Sequence, residues 1–450
     1  PGSPLAGARA PCACLCWSLI SSNPTVPGTD AVPDLPELLV PAGDMERLRT
    51  ALTYGADAVY LGGGALNLRA KAKGFSPDEL EQAFQLVRKK GKRCYYCLNA
   101  FPRQSQLKEA EQQLEWLASL PALPQALIVA DPGVVRLARR ILPDMQLHLS
   151  TQANTCNAES AAFWRDQGVS RINLARELSG PEIKRLARQA QGVELEVFVH
   201  GAMCMALSGR CLMSSHLRGR SANLGLCAHP CRYDYQTTAL RLEERTRPGR
   251  GLWELTEDGE YSAVFSAEDL CLVLHLRWLA RHSIAAFKIE GRTKTAGYLA
   301  QVADVYRTAL DQIHGPQDQN LGRDRLMAEL QNTTTRPLST GFFHGRKLEQ
   351  PIILAQAPGE SERAPILALV GDALGPDAWE VKVRGRWDSS QPFEVLVPGL
   401  QRPSIPPADY VLEDEEGTRL DLAHSGVTRI LRSNRPEIET GLFLRSINAN

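Results

Sequence analysis

The 450-residue sequence predicts an α/β fold: a closed (β/α)8 barrel of the TIM type, followed by a small β-barrel-like domain. Eight short apolar runs recur through the first two thirds of the chain, and most are separated by helix-like segments. Buried parallel strands have this continuous apolar character, and eight alternations match a closed barrel. A doubly wound open sheet shows the same alternation and remains the alternative.

Each apolar run is rich in Val, Ile, Leu and Tyr, and we expect each to form one strand. The predicted strands are Leu38–Pro41, Ala58–Gly62, Arg93–Asn99, Ala126–Ala130, Gln146–Ser150, Arg171–Ala175, Glu194–Val199 and Ala285–Ile289. The predicted helices are Met45–Tyr54, Pro77–Lys90, Gln106–Leu120, Val134–Leu142, Ala158–Gln167, Pro181–Gln191 and Ala296–Ile313. The second helix has a clear beginning, because Ser76 is a favoured N-cap, Pro77 suits the first helical position and Glu79 completes a capping box.

One connection, between the seventh and eighth predicted strands, is about 85 residues long, far beyond the usual loop length. Loops that follow the carboxyl ends of barrel strands carry the chemistry in this fold class. We therefore expect the insertion, residues 204–284, to lie on the catalytic face of a barrel domain that covers residues 35–347.

The last hundred residues have a different pattern of apolar and turn-forming residues. Runs such as Ile366–Val370 and Trp379–Val383 are short and are separated by Gly, Pro and Asp, which predicts a small antiparallel β-barrel or sandwich at 348–450. Residues 1–34 fit neither pattern and are expected to be a disordered or non-native leader. A signal peptide is the alternative there, but the segment has no basic start.

Composition excludes some classes of protein. The 51 basic and 51 acidic residues cancel, so no strong polyanion-binding field covers the whole chain, and the tail from 351 onward carries a net charge of −5. No run approaches the ~20 apolar residues of a membrane-spanning helix. Eleven cysteines in a chain of this length suit a reducing cytoplasm in which some of them bind a metal.

Four cysteines of the insertion form a candidate metal centre: Cys204-x6-Cys211-x15-Cys227-x3-Cys231. Four thiolates can supply all the protein ligands of a [4Fe–4S] cluster. Structural zinc also takes four cysteines, but usually as two Cys-x2-Cys pairs, which are absent from this set. The spacing favours a cluster and leaves zinc, or no metal, as alternatives.

Other cysteines receive a structural interpretation. Cys94 and Cys97 have Cys-x2-Cys spacing but lie in a predicted strand, where residues three apart point to opposite faces, so we do not expect joint ligation. Cys156 and Cys271 are expected to be small buried residues.

Several segments together resemble the U32 "peptidase" family, from about Leu35 to the end of the chain. The segments are Glu37-Leu-Leu-Val-Pro-Ala-Gly-Asp44, Ala56-Asp-Ala-Val-Tyr60-Leu-Gly-Gly, Glu196-Val-Phe-Val-His-Gly-Ala-Met-Cys204, Ser208-Gly-Arg-Cys211-Leu-Met-Ser-Ser215, Cys227-Ala-His-Pro-Cys231-Arg and Lys288-Ile-Glu-Gly-Arg292.

Despite its name, this family includes oxygen-independent hydroxylases that carry iron–sulfur clusters. By length and by its single β-rich tail, the chain most resembles the members that convert the wobble uridine of transfer RNA to 5-hydroxyuridine, with prephenate as co-substrate. The resemblance implies a [4Fe–4S] cluster on the four cysteines, a tRNA anticodon loop as partner and an electron donor. Unpaired loop bases can be turned into an enzyme pocket at low cost.

Candidate site residues follow the predicted strands, where barrel enzymes place their catalytic groups. As catalytic residues we expect Glu290, Arg292, His200 and Arg176. As substrate-binding residues we expect Arg69, Asn99, Gln152, Arg210 and Arg232. The arginines suit the two carboxylates of prephenate, although Glu290 and Arg292 could instead form an ion pair across the barrel mouth.

The insertion is the candidate RNA contact. Leu217–Arg250 holds seven arginines against three acidic residues, with Tyr233 and Tyr235 among them, which suits phosphate binding and base stacking or else a solvated surface loop. Proteolysis is the competing function, but neither a clear Ser/His/Asp set nor a His-Glu-x-x-His motif is present. Ribosomal RNA or a quinone precursor as substrate, and an RNA-binding module with structural zinc, are further alternatives.

Overall fold

The structure is a computed structural model. It describes residues 35–64, 66, 74–204, 211–218, 220–222, 226–232, 241–242, 253–254, 268–313, 322–334, 336–345, 352–357, 359 and 363–447. Most of the motifs named above fall within these ranges, whereas residues 1–34, Arg69, Arg210, Tyr233 and Tyr235 lie outside them.

Eight parallel strands close into a barrel, as the sequence predicts. The strands that precede the C-terminal sheet are β1 (Glu37–Pro41), β2 (Ala58–Leu61), β3 (Arg93–Leu98), β4 (Ala126–Val129), β5 (Gln146–Leu149), β6 (Arg171–Asn173), β7 (Glu194–Ala202), β8 (Arg241–Leu242), β9 (Trp253–Glu254), β10 (Asp269–Cys271), β11 (Ala286–Ile289), β12 (Leu338–Ser339) and β13 (Ile353–Ala355). Strands β1 to β7 pair in order, and β11 pairs with both β7 and β1. This double pairing closes the sheet and excludes the doubly wound alternative.

Helices lie between and after the barrel strands. They are α1 (Met45–Thr53), α2 (Pro77–Lys89), α3 (Leu107–Ala118), α4 (Pro132–Ile141), α5 (Ala158–Asp166), α6 (Gly180–Gln189), α7 (Met213–Arg218), α8 (Leu276–Ala280), α9 (Ala296–Asp311) and α10 (Arg323–Gln331). The predicted capping box of α2 is present, because the Glu79 backbone N–H donates to Ser76 Oγ and the Ser76 N–H donates to the Glu79 carboxylate.

Two helices begin earlier than predicted, and capping explains both. Asp131 accepts a hydrogen bond from the Val134 backbone N–H, so α4 begins at Pro132. Ser179 and Glu182 form a second capping box, which moves the start of α6 to Gly180.

Strand β7 runs three residues past its predicted end, because a further strand supports it. Asp269, Leu270 and Cys271 of β10 pair antiparallel with Ala202, Gly201 and His200. Strand β10 also pairs with β12, which pairs with β13. The long connection therefore returns to the barrel beside the strand that it leaves, at that strand's carboxyl end.

The C-terminal part is a seven-stranded antiparallel half-barrel accompanied by a separate two-stranded pairing, β16–β20. Its strands are β14 (Ile366–Gly375), β15 (Ala378–Val383), β16 (Trp387–Asp388), β17 (Phe393–Leu396), β18 (Ser404–Ile405), β19 (Tyr410–Glu413), β20 (Leu422–Ala423), β21 (Thr428–Ser433) and β22 (Phe443–Ser446). The larger sheet has the order β18-β17-β22-β14-β15-β21-β19. The fold class predicted from the sequence is confirmed, whereas the domain boundary at 347/348 stays a prediction.

The core has two parts. A continuous apolar cluster fills the space between barrel strands and helices and extends into the C-terminal sheet. A smaller cluster lies inside the barrel and consists of Leu39, Ala58, Tyr60, Tyr95, Cys97, Ala126 and Ile128. Over the described ranges, the chain contains no helix of the length and apolar character needed to cross a membrane.

Candidate active site at the carboxyl ends of the barrel strands

Buried charges line the inside of the barrel. Lys288 of β11 donates a hydrogen bond to Glu196 of β7, with 2.8 Å between Nζ and Oε1. Arg171 of β6 binds Glu37 of β1 at 2.7 Å and approaches Glu196 Oε2 at 3.8 Å. Because isolated buried charges are costly, their pairing is what allows four charged side chains to stay inside the barrel.

The Glu37 carboxylate at the amino-terminal end of the barrel has several partners. Tyr95 donates to Glu37 at 2.7 Å, and Arg93 approaches the same carboxylate at 2.5 Å. Burial disfavours the charged form of Arg171, but the carboxylates of Glu37, Glu196 and Glu194 outweigh it and raise the pKa of the guanidinium. Arg171 and Glu37 thus form a buried ion pair that closes this end of the barrel, as expected for the face that serves stability.

The carboxyl end differs, because Arg292 has no carboxylate partner among the described residues. Its side chain is only 8% exposed, its Nε is buried without a hydrogen-bond acceptor, and its guanidinium carbon lies 5.8 Å from the ring centre of Tyr60. The alternative of an ion pair between Glu290 and Arg292 is therefore not what the structure forms.

Two glycines bring the neighbouring loops onto the Glu290–Arg292 segment. A Cβ on Gly201 would lie 2.6 Å from the Glu290 carbonyl oxygen, and Gly201 has a φ of +110°. A side chain on Gly43 would collide with the Arg292 carbonyl oxygen. Only glycine allows the loop after β1 and the end of β7 to approach the residues after β11 this closely.

Arg176 joins this end of the barrel from the loop after β6. Its Nη1 donates to the Ala202 carbonyl at 2.7 Å, and its guanidinium carbon lies 3.9 Å from the ring centre of Phe198. Its Nε is buried without an acceptor among the described residues. A half-satisfied arginine held against an aromatic ring is poised to bind a further anion.

Amide side chains follow β3 and β5. Asn99 donates from Nδ2 to Ser150 Oγ at 3.3 Å, which connects the ends of the two strands. The side-chain oxygen of Gln152 is buried and accepts no hydrogen bond within the described part of the chain, and the same holds for Asn173 Oδ1 of β6. The side-chain oxygens of Gln152 and Asn173 are therefore available as hydrogen-bond acceptors.

The ring of His200 packs against helix α9. Its ring packs against Tyr306 of α9, at 5.3 Å between ring centres, with Nδ1 3.3 Å from the tyrosine oxygen. Burial, with a smaller effect of Lys294, lowers the pKa of His200 to about 3. The imidazole is therefore neutral near pH 7 and faces α9, so its predicted catalytic role gains no support from its position.

Cys97 lies close enough to four charged side chains for each of them to affect its pKa. Burial raises the pKa of the Cys97 thiol, and the charges of Arg292 and Lys288 lower it while those of Glu196 and Glu290 raise it. Cys94 packs in the outer core and Cys97 inside the barrel, which agrees with the prediction that they point to opposite faces.

The four cysteines of the insertion follow β7 directly. Cys204 is exposed, Cys211, Cys227 and Cys231 are half-buried, and none of them forms a disulfide in the described part of the chain. The Ala228 N–H donates to Ser214 Oγ at 2.9 Å, which ties the segment carrying Cys227 and Cys231 to α7, just after Cys211.

The donor chemistry of four thiols fits a four-thiolate cluster. Within the described residues, however, no three His, Cys, Asp or Glu side chains are gathered closely enough to hold a metal ion. The [4Fe–4S] centre accordingly stays a prediction.

Several predicted residues have no described side chain. Arg69 and Arg210 lie outside the described residues, and the backbone of Arg232 is described in a short helical turn without its side chain. One cysteine expectation was wrong: Cys156 is exposed, because it lies in the loop that leads into α5, whereas Cys271 is fully buried as expected.

Four buried charged residues, Lys288, Glu196, Arg171 and Glu37, were not among the site residues predicted from the sequence. A signal was available for Glu196 and Lys288, because each is a charged residue flanked on both sides by apolar residues within a predicted strand. A charge at such a position has to find a partner inside the barrel.

The family model described as Peptidase family U32 matches residues 43–352, more than half of the chain. The chain belongs to peptidase family U32. This U32 protein is 39% identical over 316 residues to tRNA hydroxylation protein P of Helicobacter pylori, covering 70% of this chain and 73% of the relative. It is 32% identical over 400 residues to tRNA hydroxylation protein P1 of Bacillus subtilis, covering 88% and 92%.

A third relative of this U32 protein has a different RNA in its name. The 23S rRNA 5-hydroxycytidine synthase of Escherichia coli is 34% identical over 277 residues, which cover 62% of this chain but only 39% of the relative. The family predicted from the cysteine block and the Lys288–Arg292 segment is confirmed.

Proposed function

We propose that this U32 protein is an RNA hydroxylase that converts the wobble uridine of transfer RNA to 5-hydroxyuridine without molecular oxygen, using prephenate and a [4Fe–4S] cluster. The names of its relatives point to RNA as the substrate. The match covers 73% and 92% of the two tRNA hydroxylation proteins but only 39% of the ribosomal RNA enzyme, which favours transfer RNA. The observation that carries the chemistry is Arg292, a buried guanidinium at the barrel mouth without a carboxylate partner among the described residues.

In this proposal the residues of the mouth bind and orient the reactants. Arg292 and Arg176 bind the anionic co-substrate through N–H donors that described residues leave without acceptors. Gln152 and Asn99, at the ends of β5 and β3, offer amide groups to the carbonyl and N–H groups of the uracil ring. Gly43 and Gly201 hold the Glu290–Arg292 segment in place.

Cys204, Cys211, Cys227 and Cys231 would hold the cluster, which supplies one-electron transfer when bound. Replacing the C5 hydrogen of uracil by a hydroxyl group taken from water would release two electrons and two protons, so an external electron carrier would have to accept the two electrons. The exposure of Cys204 suits electron exchange with such a carrier at the surface.

Nucleoside analysis tests the substrate. A bacterial strain that lacks its own tRNA hydroxylases would be complemented with the wild-type chain or with Arg292→Gln, and 5-hydroxyuridine in its tRNA would be measured. We expect wild type to restore the nucleoside and Arg292→Gln to lose most of it. An unchanged nucleoside profile with wild type, together with new 5-hydroxycytidine in ribosomal RNA, would move the substrate to ribosomal RNA.

Metal analysis tests the cluster. We expect anaerobically purified protein to contain iron and acid-labile sulfide, and Cys211→Ser to lose most of both. Cys156→Ser is the matched control, because Cys156 is an exposed cysteine outside the block and its replacement should leave iron unchanged. Zinc without sulfide would contradict the proposal.

Proteolysis is the second candidate, because the matching family model carries the description of a peptidase family. Cleavage of a protein substrate by the iron-free chain, unaffected by Cys211→Ser, would favour it over RNA hydroxylation.

A further inference from the structure

The barrel interior holds more buried positive than negative charge among the described residues. Glu37 and Glu196 are matched by Arg171 and Lys288, and Arg292 is left over. Burying a charge without a partner costs several kcal/mol, so a site of this kind persists where a bound anion completes it.

Lys288 has unused hydrogen-bond donors. A lysine ammonium carries three N–H donors, and Lys288 uses one of them on Glu196. It makes no other hydrogen bond to described residues, although its side chain is only 5% exposed. Its remaining contacts are to the faces of Tyr60, at 4.5 Å, and Phe198, at 5.5 Å.

Tyr60 links Lys288 to Arg292. The ring centre of Tyr60 lies 4.5 Å from Lys288 Nζ and 5.8 Å from the guanidinium carbon of Arg292, so both cations lie within about 6 Å of the same ring. The Tyr60 hydroxyl donates to the Ile289 carbonyl at 2.8 Å, which fixes the ring beside both residues. Because Glu196 already neutralises Lys288, the unmatched positive charge beside this ring belongs to Arg292.

The burial of these donors selects the kind of anion. A carboxylate at the end of a small molecule can enter the barrel mouth and accept from an ammonium and a guanidinium together. An RNA phosphodiester carries a sugar on each side, which hinders its approach to side chains that are more than nine-tenths buried.

We propose that Lys288 and Arg292 bind one carboxylate group of a small organic acid beside the ring of Tyr60, inside the barrel mouth. This inference rests on the proposed function for the role of the acid as co-substrate. Arg176, whose Nε has no acceptor among the described residues, is left for a second anionic group of the same molecule. Lys288 and Tyr60 thereby join the residues that recognise the co-substrate.

Calorimetric titration of anaerobically purified full-length protein with prephenate tests the site. We expect Lys288→Gln and Arg292→Gln each to raise the dissociation constant about 10- to 100-fold, because each removes a charge-assisted hydrogen bond. Arg292→Lys should retain more affinity than Arg292→Gln. The matched control is Arg140→Gln, an exposed arginine paired with Glu111 outside the barrel, which should bind as wild type does.

Thermal unfolding with and without prephenate separates lost binding from lost folding. A folded variant that has lost the site should no longer be stabilised by the acid. Unchanged prephenate affinity in both variants, or no binding to wild type, would overturn the proposal. So would inorganic phosphate that displaces prephenate at equal concentration, because the site would then recognise phosphate.

The tRNA nucleoside assay distinguishes this proposal from the proposed function. Prephenate binding that depends on Lys288 and Arg292, with tRNA left unmodified by wild type, supports the carboxylate site and rejects the tRNA assignment. Hydroxylated tRNA without measurable prephenate binding supports the tRNA assignment and rejects the carboxylate site.

Discussion

At the scale of single residues, His200 shows how burial in the fold sets the protonation of a side chain. A histidine that follows a barrel strand and stands four residues before Cys204 is a reasonable candidate for acid–base catalysis from its sequence position alone. In the structure its ring is enclosed by Tyr306 and Tyr298 of α9, with Cys271 and Lys294 nearby. Burial favours its neutral form, and its catalytic role stays a prediction.

His200 makes the stability of the protein depend on pH. Its folded-state pKa of about 3 lies below its ordinary value of 6.5, so its stabilising contribution is fully present above pH 6.5 and is lost as the pH decreases toward 3. Between pH 7 and 5 the loss from this residue should be about 2 kcal/mol.

We expect urea unfolding of His200→Gln to show a shallower decrease between pH 7 and 5 than wild type. The exposed His424 provides the control variant His424→Gln, which should keep the wild-type pH slope. Identical slopes for wild type and His200→Gln would show that His200 does not remain neutral in the folded protein.

Gly201 permits the close approach of β7 to Glu290. Gly201→Ala should destabilise the protein by about 3 kcal/mol, because it adds a backbone collision to the cost of a positive φ. Gly417→Ala is a matched control: Gly417 has a φ of +81°, but a Cβ there would meet no atom within 4 Å, so its cost should be about 1 kcal/mol. Equal losses in urea denaturation would contradict the collision.

At the scale of elements, an ion-pair network joins the helices after the barrel to the C-terminal sheet. Glu329 of α10 binds Arg445 of β22 at 3.0 Å and Arg402 at 3.1 Å, and Arg402 also binds Asp304 of α9 at 2.8 Å. Burial opposes ionisation of Glu329, but the two arginines outweigh it and hold the pKa of its carboxyl below the ordinary value.

Glu329→Gln should lower the free energy of unfolding by about 3 kcal/mol, since it removes a buried charge shared by two arginines. The measurement is chemical denaturation near pH 7, with Glu416→Gln on an exposed turn as the control that should change little. Because the folded pKa of Glu329 is lowered, the difference between wild type and Glu329→Gln should shrink on acidification through the carboxyl range. A difference that does not depend on pH would argue against an ionised Glu329.

At the scale of the whole molecule, the two ends of the barrel have separate tasks. The amino-terminal end is closed by Glu37, Arg171 and their partners, and the carboxyl end keeps donors and acceptors that described residues leave unsatisfied. We infer that one end serves stability and the other binds substrate.

This division predicts opposite effects of two substitutions. Arg171→Met should lower the free energy of unfolding by about 3–5 kcal/mol, because it leaves Glu37 buried with weaker pairing. At a temperature where it is folded, it should bind prephenate as wild type does, whereas Arg292→Gln should lose binding with a smaller loss of stability, because Arg292 has no carboxylate partner among the described residues. Calorimetry and denaturation on both variants check this, and a loss of prephenate affinity in Arg171→Met would contradict it.

Much of this protein could be predicted from local sequence. Apolar runs identified all eight barrel strands, because a strand buried on both faces has to be apolar along its length. The Ser76 capping box was confirmed, since caps depend on neighbours within one turn. The end of β7 and the start of α4 differed from their predicted positions. The end of β7 depends on a partner strand about 70 residues away, and the start of α4 depends on a cap at Asp131 that the apolar pattern does not reveal.

The sequence by itself determined the eight strands that form the barrel, the β-rich tail, the family and the segments that carry the site, whereas the closure of the sheet came from the pairing of β11 with β7 and β1. Only the tertiary structure decided which charges are neutralised: it paired Lys288 with Glu196 and Arg171 with Glu37, enclosed His200 against α9 and left Arg292 without a carboxylate among the described residues. The physical reason is that pairing depends on distances between strands far apart in the chain, and the strength of each charge interaction depends on burial, which exists only in the folded protein.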